Sequence, residues 1–328
     1  MKAWRVHTNG EPREVMRLEE VPEPPAPGEG ELLVRVRAAN VNFPDALLCR
    51  GEYQVRPDFP FTPGVELCGE VLAAGPGAEG APGVGERVIA QPVLPAGAFA
   101  EQTVVSAASA RPAPDALDDA EAAALHIGYQ TGWFGLHRRA GLRAGETLLV
   151  HAAAGGVGSA AVQLGKAAGA RVIGVVGGAD KAAVARELGC DVVVDRREQD
   201  VIAAVKEAAP GGVDVVYDPV GGDAFKQSTK VVGFEGRIVV VGFASGAIPT
   251  PGLNHALVKN YAILGLHWGL YNAKDPAAIR ACHEELTKLA AEGWVKPLVS
   301  ERVPMADAAD AVQRVFDGTT TGRVTVTP

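Results

Sequence analysis

The chain has 328 residues, 47% apolar and 21% charged, enough to bury sizeable cores in two domains and too apolar for a disordered protein. Its net charge of -8 gives no electrostatic reason to bind nucleic acid or an anionic membrane surface. No apolar run reaches the roughly 18–20 residues that span a bilayer and no signal-peptide pattern opens the chain. The four cysteines (Cys49, Cys68, Cys190, Cys282) form no C-x-x-C pair, so free thiols in a reducing cytoplasm are expected.

Residues 1–124 read as β-rich: "ELLVRVRAANVN", "GVELCGEVLAAG" and "GERVIA" are short apolar or alternating runs, punctuated by "PEPPAPGEG" and "GPGAEGAPGVG". From 125 to 266, strands alternate with helices. "ETLLVHA" (146–152) is a buried strand and "GSAAVQLGKAAGA" a helix ending at glycine; further strands are expected at 171–176, 190–195, 213–218, 237–242 and 261–266. Between them, "DKAAVAREL" and "DVIAAVKEAA" form helices, with Asp180 and Asp200 as expected caps. Continuous Val/Ile runs between amphipathic helices predict an α/β fold, a doubly wound parallel sheet covered on both faces. Residues 267–328 supply a long helix, the strand "VKPLVSERV", another helix and the strand "RVTVTP". Too short to fold alone, this stretch is expected to pack back onto residues 1–124, making 125–266 an inserted domain.

The loop "HAAAGGVGSAAVQ" (151–163) nearly spells G-x-G-x-x-G, with Ala153 in the first glycine place. It joins a strand to a helix, where free N–H groups and glycines that admit close approach suit a pyrophosphate. A small-residue turn with no ligand is the alternative, and the six alternating strands favour the dinucleotide. Gly155, Gly156, Val157 and Gly158 are therefore the expected cradle. At the end of the second strand, Gly177 stands where an acidic residue would bond a ribose 2′-hydroxyl. With Gly178 beside it, and with Lys181 and Arg196 placed to neutralise a 2′-phosphate, NADPH is expected over NADH.

"AANVNFPDALLCRGEYQ", "PFTPGVELCGEV", "HAAAGGVG" and "VDVVYDPVGG" together resemble the zinc-independent quinone oxidoreductases of the medium-chain dehydrogenase/reductase superfamily. The resemblance runs over essentially the whole length. It implies a GroES-like catalytic domain (1–124 and 267–328), an inserted Rossmann domain (125–266), NADPH and a homodimer; "YAILGL" would be the edge strand that pairs with its copy. By the same resemblance the zinc-ligand places of related enzymes fall on Asn42, Val65 and Ile127, and residues 85–115 hold none of the four cysteines of their structural-zinc lobe. No metal is expected.

Asn42, in the former metal-ligand place, would sit beside the nicotinamide and hydrogen-bond cofactor or substrate oxygen, or else be a turn asparagine. Tyr53 would donate to or protonate a substrate, or pack. Asp45 would orient its neighbours or cap a helix. Thr131 matches a residue touching the nicotinamide ring, its alternative being a bond back into its own helix. Phe243 in "VVGFASG", with Leu266 and Trp268 in "LGLHWG", belongs to loops gripping the nicotinamide half, and Arg323 matches a basic position that reaches the cofactor. His126 and His151 are read as structural, and no serine or cysteine sits in a nucleophile motif.

Without a Lewis acid, reduction of an isolated ketone is slow, whereas a quinone or conjugated carbonyl is already electrophilic. The expected activity is hydride transfer from NADPH to a quinone or enone. An enoyl-thioester (acyl-CoA) reductase and a non-catalytic NADPH-binding protein are the alternatives.

Overall fold

Six runs rich in valine and isoleucine pair in parallel to form the sheet of the second unit. From edge to edge they are Val192–Asp195, Arg171–Val176, Thr147–His151, Val213–Asp218, Val232–Val240 and Ala262–Gly265. All six expected strands are present, and Leu148, Leu149 and Val150 are completely buried, as a strand covered on both faces requires. The strand order reverses at Thr147–His151, which places the loop after it at the switch point where doubly wound sheets take ligands.

In the first unit, antiparallel strands dominate a sheet ordered Val299–Pro304, Arg323–Thr327, Glu31–Asn40, Leu67–Ala74, Arg87–Ala90 and Arg111–Pro112, with Gln102–Ser106 also on Glu31–Asn40. The last strand returns from the far end of the sequence and pairs Thr325 with Asn40 and Val326 with Ala39. One more bond, Val41 N–H to Val324 O at 2.9 Å, fixes that register. The tail thus brings Arg323 to Asn42.

The computed structural model describes residues 1–328 and divides into Met1–Ile127 with Lys296–Pro328, and Gly128–Val295. The division falls inside the helix Asp119–Trp133, close to the expected 124/125. The second boundary corrects the sequence reading, which returned the chain to the first domain at 267. The helix Pro276–Ala291 belongs instead to the second unit. Trp133 Nε1 donates to Glu285 at 2.8 Å, Arg138 pairs with Asp275 at 3.1 Å, and the Phe134 and Tyr271 rings lie 4.1 Å apart. No helix is long and apolar enough to cross a membrane.

Candidate cofactor and substrate site

The strand Thr147–His151 leads into a turn held by backbone contacts. Ala152 is left-handed, φ 51°, and Gly155 N–H closes the turn on its oxygen at 2.8 Å. Ala153, in the first-glycine place, avoids positive φ, and the unusual conformation falls one residue earlier. Gly155 is the N-cap of the helix Gly156–Ala167 and no side chain caps it, an arrangement that suits a phosphate. A Cβ on Gly158 would stand 2.0 Å from Ala152 O, so only glycine lets helix and turn close.

At the end of the second strand, Arg196 lies over Gly177: a Cβ there would be 3.1 Å from its Nε and 3.2 Å from its Nη2. Gly178, φ 107°, caps the helix Ala179–Glu187, and a Cβ on it would be 3.1 Å from Arg197 Nη1. Burial, then the guanidinium groups of Arg197 and Arg196, push the Lys181 ammonium below its usual range. Three cations therefore crowd one glycine-floored corner. Asp195 orders the turn by accepting N–H bonds from Gly178 at 2.9 Å and Arg197 at 3.0 Å, which hold its carboxyl below the usual range.

One expectation changes here. Asp180 makes no cap bond, because Gly178 occupies the N-cap and Asp180 sits in the first turn; Asp200 does cap, accepting from Ala203 N–H at 2.8 Å.

The first unit holds a buried polar cluster. Glu66 is completely buried; its Oε1 accepts from Asn40 Nδ2 at 2.6 Å and Asn42 Nδ2 at 2.8 Å, and its Oε2 from Ile127 N–H at 2.7 Å. Asn42 Nδ2 also donates to Asn40 O at 3.2 Å, and Asn42 Oδ1 accepts from Arg323 Nη1 at 2.9 Å. The expected free amide at Asn42 is thus corrected. Both its hydrogens are engaged, because the acceptor-only Glu66 and a backbone carbonyl flank it. Asp45, at zero exposure, accepts from Asn42 N–H at 2.8 Å and Gly64 N–H at 2.9 Å; burial pushes its carboxyl up to about 7 against those bonds. Its contacts are those of the capping alternative, tying the helix Phe43–Arg50 to the Gly64 turn.

Quinone oxidoreductase-like protein 2 homolog of Nematostella vectensis is 35% identical over 302 residues, covering 91% of this chain and 82% of that protein. Residues 28–115 match the alcohol dehydrogenase GroES-like domain and residues 156–284 the zinc-binding dehydrogenase family. The chain belongs to the quinone oxidoreductase family of the medium-chain dehydrogenases/reductases. The crystal structure of Escherichia coli quinone oxidoreductase complexed with NADPH matches over all of both chains, with a TM-score of 0.91 and 31% identity. Prostaglandin reductase-3 of Mus musculus is 33% identical over 322 residues, 92% of this chain and 82% of that protein.

In the second unit Thr131 is buried on the helix Asp119–Trp133. Trp268 is buried with Nε1 on Gln130 Oε1 at 3.1 Å, and Leu266 N–H bonds Val240 O at 3.0 Å. Phe243 is half-exposed in a loop folded over Gly221, with Ala244 N–H on Pro219 O at 3.1 Å. Tyr53, in the first unit, is half-buried against its core. His126 is buried, and buried His151 shares a 2.9 Å bond with Ser228. Ser228 Oγ also donates to Ala224 O at 2.8 Å. Two residues escaped the sequence reading. Arg197 follows Arg196 directly in "DRREQD", and Glu66 follows Val65 in "PGVE".

Proposed function

We propose that this chain is a zinc-free, NADPH-dependent reductase of quinones or conjugated carbonyls. The observation that carries the reading is the corner where Arg196, Arg197 and Lys181 crowd a side-chain-free Gly177, in the same unit as an uncapped glycine-rich helix start. Such a corner suits a phosphomonoester, and the helix start a pyrophosphate. The relative solved with NADPH supports the same cofactor. Once bound, that cofactor supplies a hydride.

Zinc does not fit the residues present. Val65 and Ile127 carry no donor atom, and the Asn42 amide is committed to Glu66, Asn40 and Arg323. A substrate whose conjugation spreads the developing charge suits such a site better than an isolated ketone. Tyr53 supplies a hydroxyl kept protonated, since burial and then Asp45 push its pKa up. The test is NADPH oxidation across quinones, enones and enoyl-CoAs, with and without chelator. Turnover of quinones or enones that ignores the chelator is expected. Turnover confined to enoyl-CoAs would select the thioester reductase, and none at all a non-catalytic NADPH-binding protein. About one essential zinc per chain would overturn the metal-free reading.

A homodimer through the second unit belongs to this proposal. The strand Ala262–Gly265 ends the sheet, and the helix Leu253–Lys259 buries none of its residues. Leu253, Leu257 and Val258 stand 73%, 76% and 74% exposed beside Ile248 at 72%, an apolar surface suited to a second copy. Light scattering should give twice the chain mass at micromolar concentration, and Leu257→Glu with Val258→Glu should give monomer. A wild-type monomer would exclude the dimer.

A further inference from the structure

The two arginines that follow the strand Val192–Asp195 have fixed roots and free heads. Arg196 N–H is held by Val176 O at 3.0 Å, and Arg197 N–H by Asp195 Oδ1 at 3.0 Å. Both side chains are exposed, and neither guanidinium donates a hydrogen bond or joins an ion pair within the chain. Asp195, rooted beside them, spends Oδ1 on the backbone N–H groups of Gly178 and Arg197 and takes neither head.

Each head lies over a different glycine. The Nε–Nη2 edge of Arg196, the fork that grips two phosphate oxygens side-on, borders the space above Gly177, where a Cβ would be 3.1 and 3.2 Å away. Arg197 Nη1 borders the space above Gly178, at 3.1 Å from a Cβ there. Gly178 has φ 107°, a conformation that keeps side chains out. Two forks over two adjacent glycines make two neighbouring seats for a phosphate.

NADPH has a close chemical counterpart at this end. Coenzyme A carries the same adenosine 5′-diphosphate, with its phosphomonoester on the ribose 3′-oxygen where NADPH has it on the adjacent 2′-oxygen. A dinucleotide site tells such ligands apart with an acidic residue bonded to the ribose hydroxyl. Gly177 stands in that place and rejects neither.

We infer that the corner of Gly177, Gly178, Lys181, Arg196 and Arg197 also takes an adenosine 3′-phosphate, so that coenzyme A and its thioesters compete with NADPH. All five residues belong to the second unit. The inference rests on the NADPH reading above and adds regulation to it. The ratio of coenzyme A to NADPH sets how much of the protein holds its reductant.

The test is displacement of NADPH from the purified full chain, followed by NADPH fluorescence at constant ionic strength. Coenzyme A should displace NADPH competitively. It should bind about tenfold or more tighter than dephospho-coenzyme A, which lacks only the 3′-phosphate; that ratio equals about 1.4 kcal/mol. Arg196→Ala with Arg197→Ala should bring the two ligands within about threefold of each other by weakening coenzyme A alone. Both heads are exposed and unbonded, so the variant should unfold at the wild-type denaturant concentration. Equal displacement by the two ligands, or a preference that survives the double variant, overturns the inference. Coenzyme A bound alongside NADPH also overturns it and assigns its phosphate to a separate substrate site. A chain that binds NADPH but not coenzyme A ends this inference alone. One that binds neither overturns the cofactor reading with it.

Discussion

Replacing Lys181, Arg196 and Arg197 together by alanine is expected to lower kcat/KM for NADPH by roughly 100-fold or more, while NADH turnover stays within about threefold. A charge-assisted phosphate contact is worth about 1.5–3 kcal/mol before screening. Arg196 and Arg197 are exposed, so about 1 kcal/mol each is the safer figure, and three contacts give about two decades. The cations are also crowded: burial and then Arg197 and Arg196 push the Lys181 ammonium down, and a 2′-phosphate would relieve the repulsive part. Single substitutions should therefore each cost less than a third of the whole, because removing one cation eases the other two. Gly177→Asp should go further and invert the preference. A side chain there starts 3.1 Å from Arg196 Nε, so the new carboxylate would occupy that guanidinium and offer the ribose an acceptor. Steady-state kinetics with both cofactors and one quinone decide this. If the triple variant keeps its full NADPH preference, the 2′-phosphate binds elsewhere.

The sheet of the second unit was legible because a strand buried on both faces must be apolar at every position, and few other structures demand that. The long helix 276–291 shows where the pattern stops. Its amphipathic spacing specifies a buried face but not its partner, and Glu285 on Trp133 becomes visible only when the chain is folded. Asp180 misled because an aspartate near a helix start suggests a cap, whereas the backbone of Gly178 decides where the helix begins. Glu66 was hidden for a different reason. Beside the strand Leu67–Ala74 an acidic residue resembles a solvent-facing position, and only the return of the last strand encloses it with Arg323, Asn40 and Asn42. Local periodicity carries the cofactor loop; the polar cluster depends on contacts between residues 24 to 281 positions apart.

Gly158→Ala is expected to weaken NADPH and NADH alike by roughly 30-fold or more, whereas Gly155→Ala should keep both within about fivefold. The two glycines look equivalent in the sequence, but their surroundings differ. A Cβ on Gly158 would meet Ala152 O at 2.0 Å, and that oxygen cannot retreat. Gly155 N–H binds it at 2.8 Å, Ala153 N–H is anchored to Val175 O at 3.0 Å, and Ala152 is already left-handed. The start of the helix must lift instead, carrying away the amides of Gly156 and Val157 on which any pyrophosphate would sit. Overpacking of this kind costs about 1–3 kcal/mol, occasionally more, and a clash with backbone belongs at the upper end. At Gly155, φ is -89° and a Cβ would lie 3.2 Å from Ala152 O, a contact that a shift of a few tenths of an ångström relieves. Alanine is a poorer N-cap than glycine, which adds about 1 kcal/mol at most. Denaturant unfolding alongside titration with both cofactors would separate folding from binding. The Gly158 variant should lose NADH as well as NADPH, unlike the cation variants, which spare NADH. A Gly158→Ala protein that binds NADPH as tightly as wild type would show that this helix start is not where the dinucleotide rests.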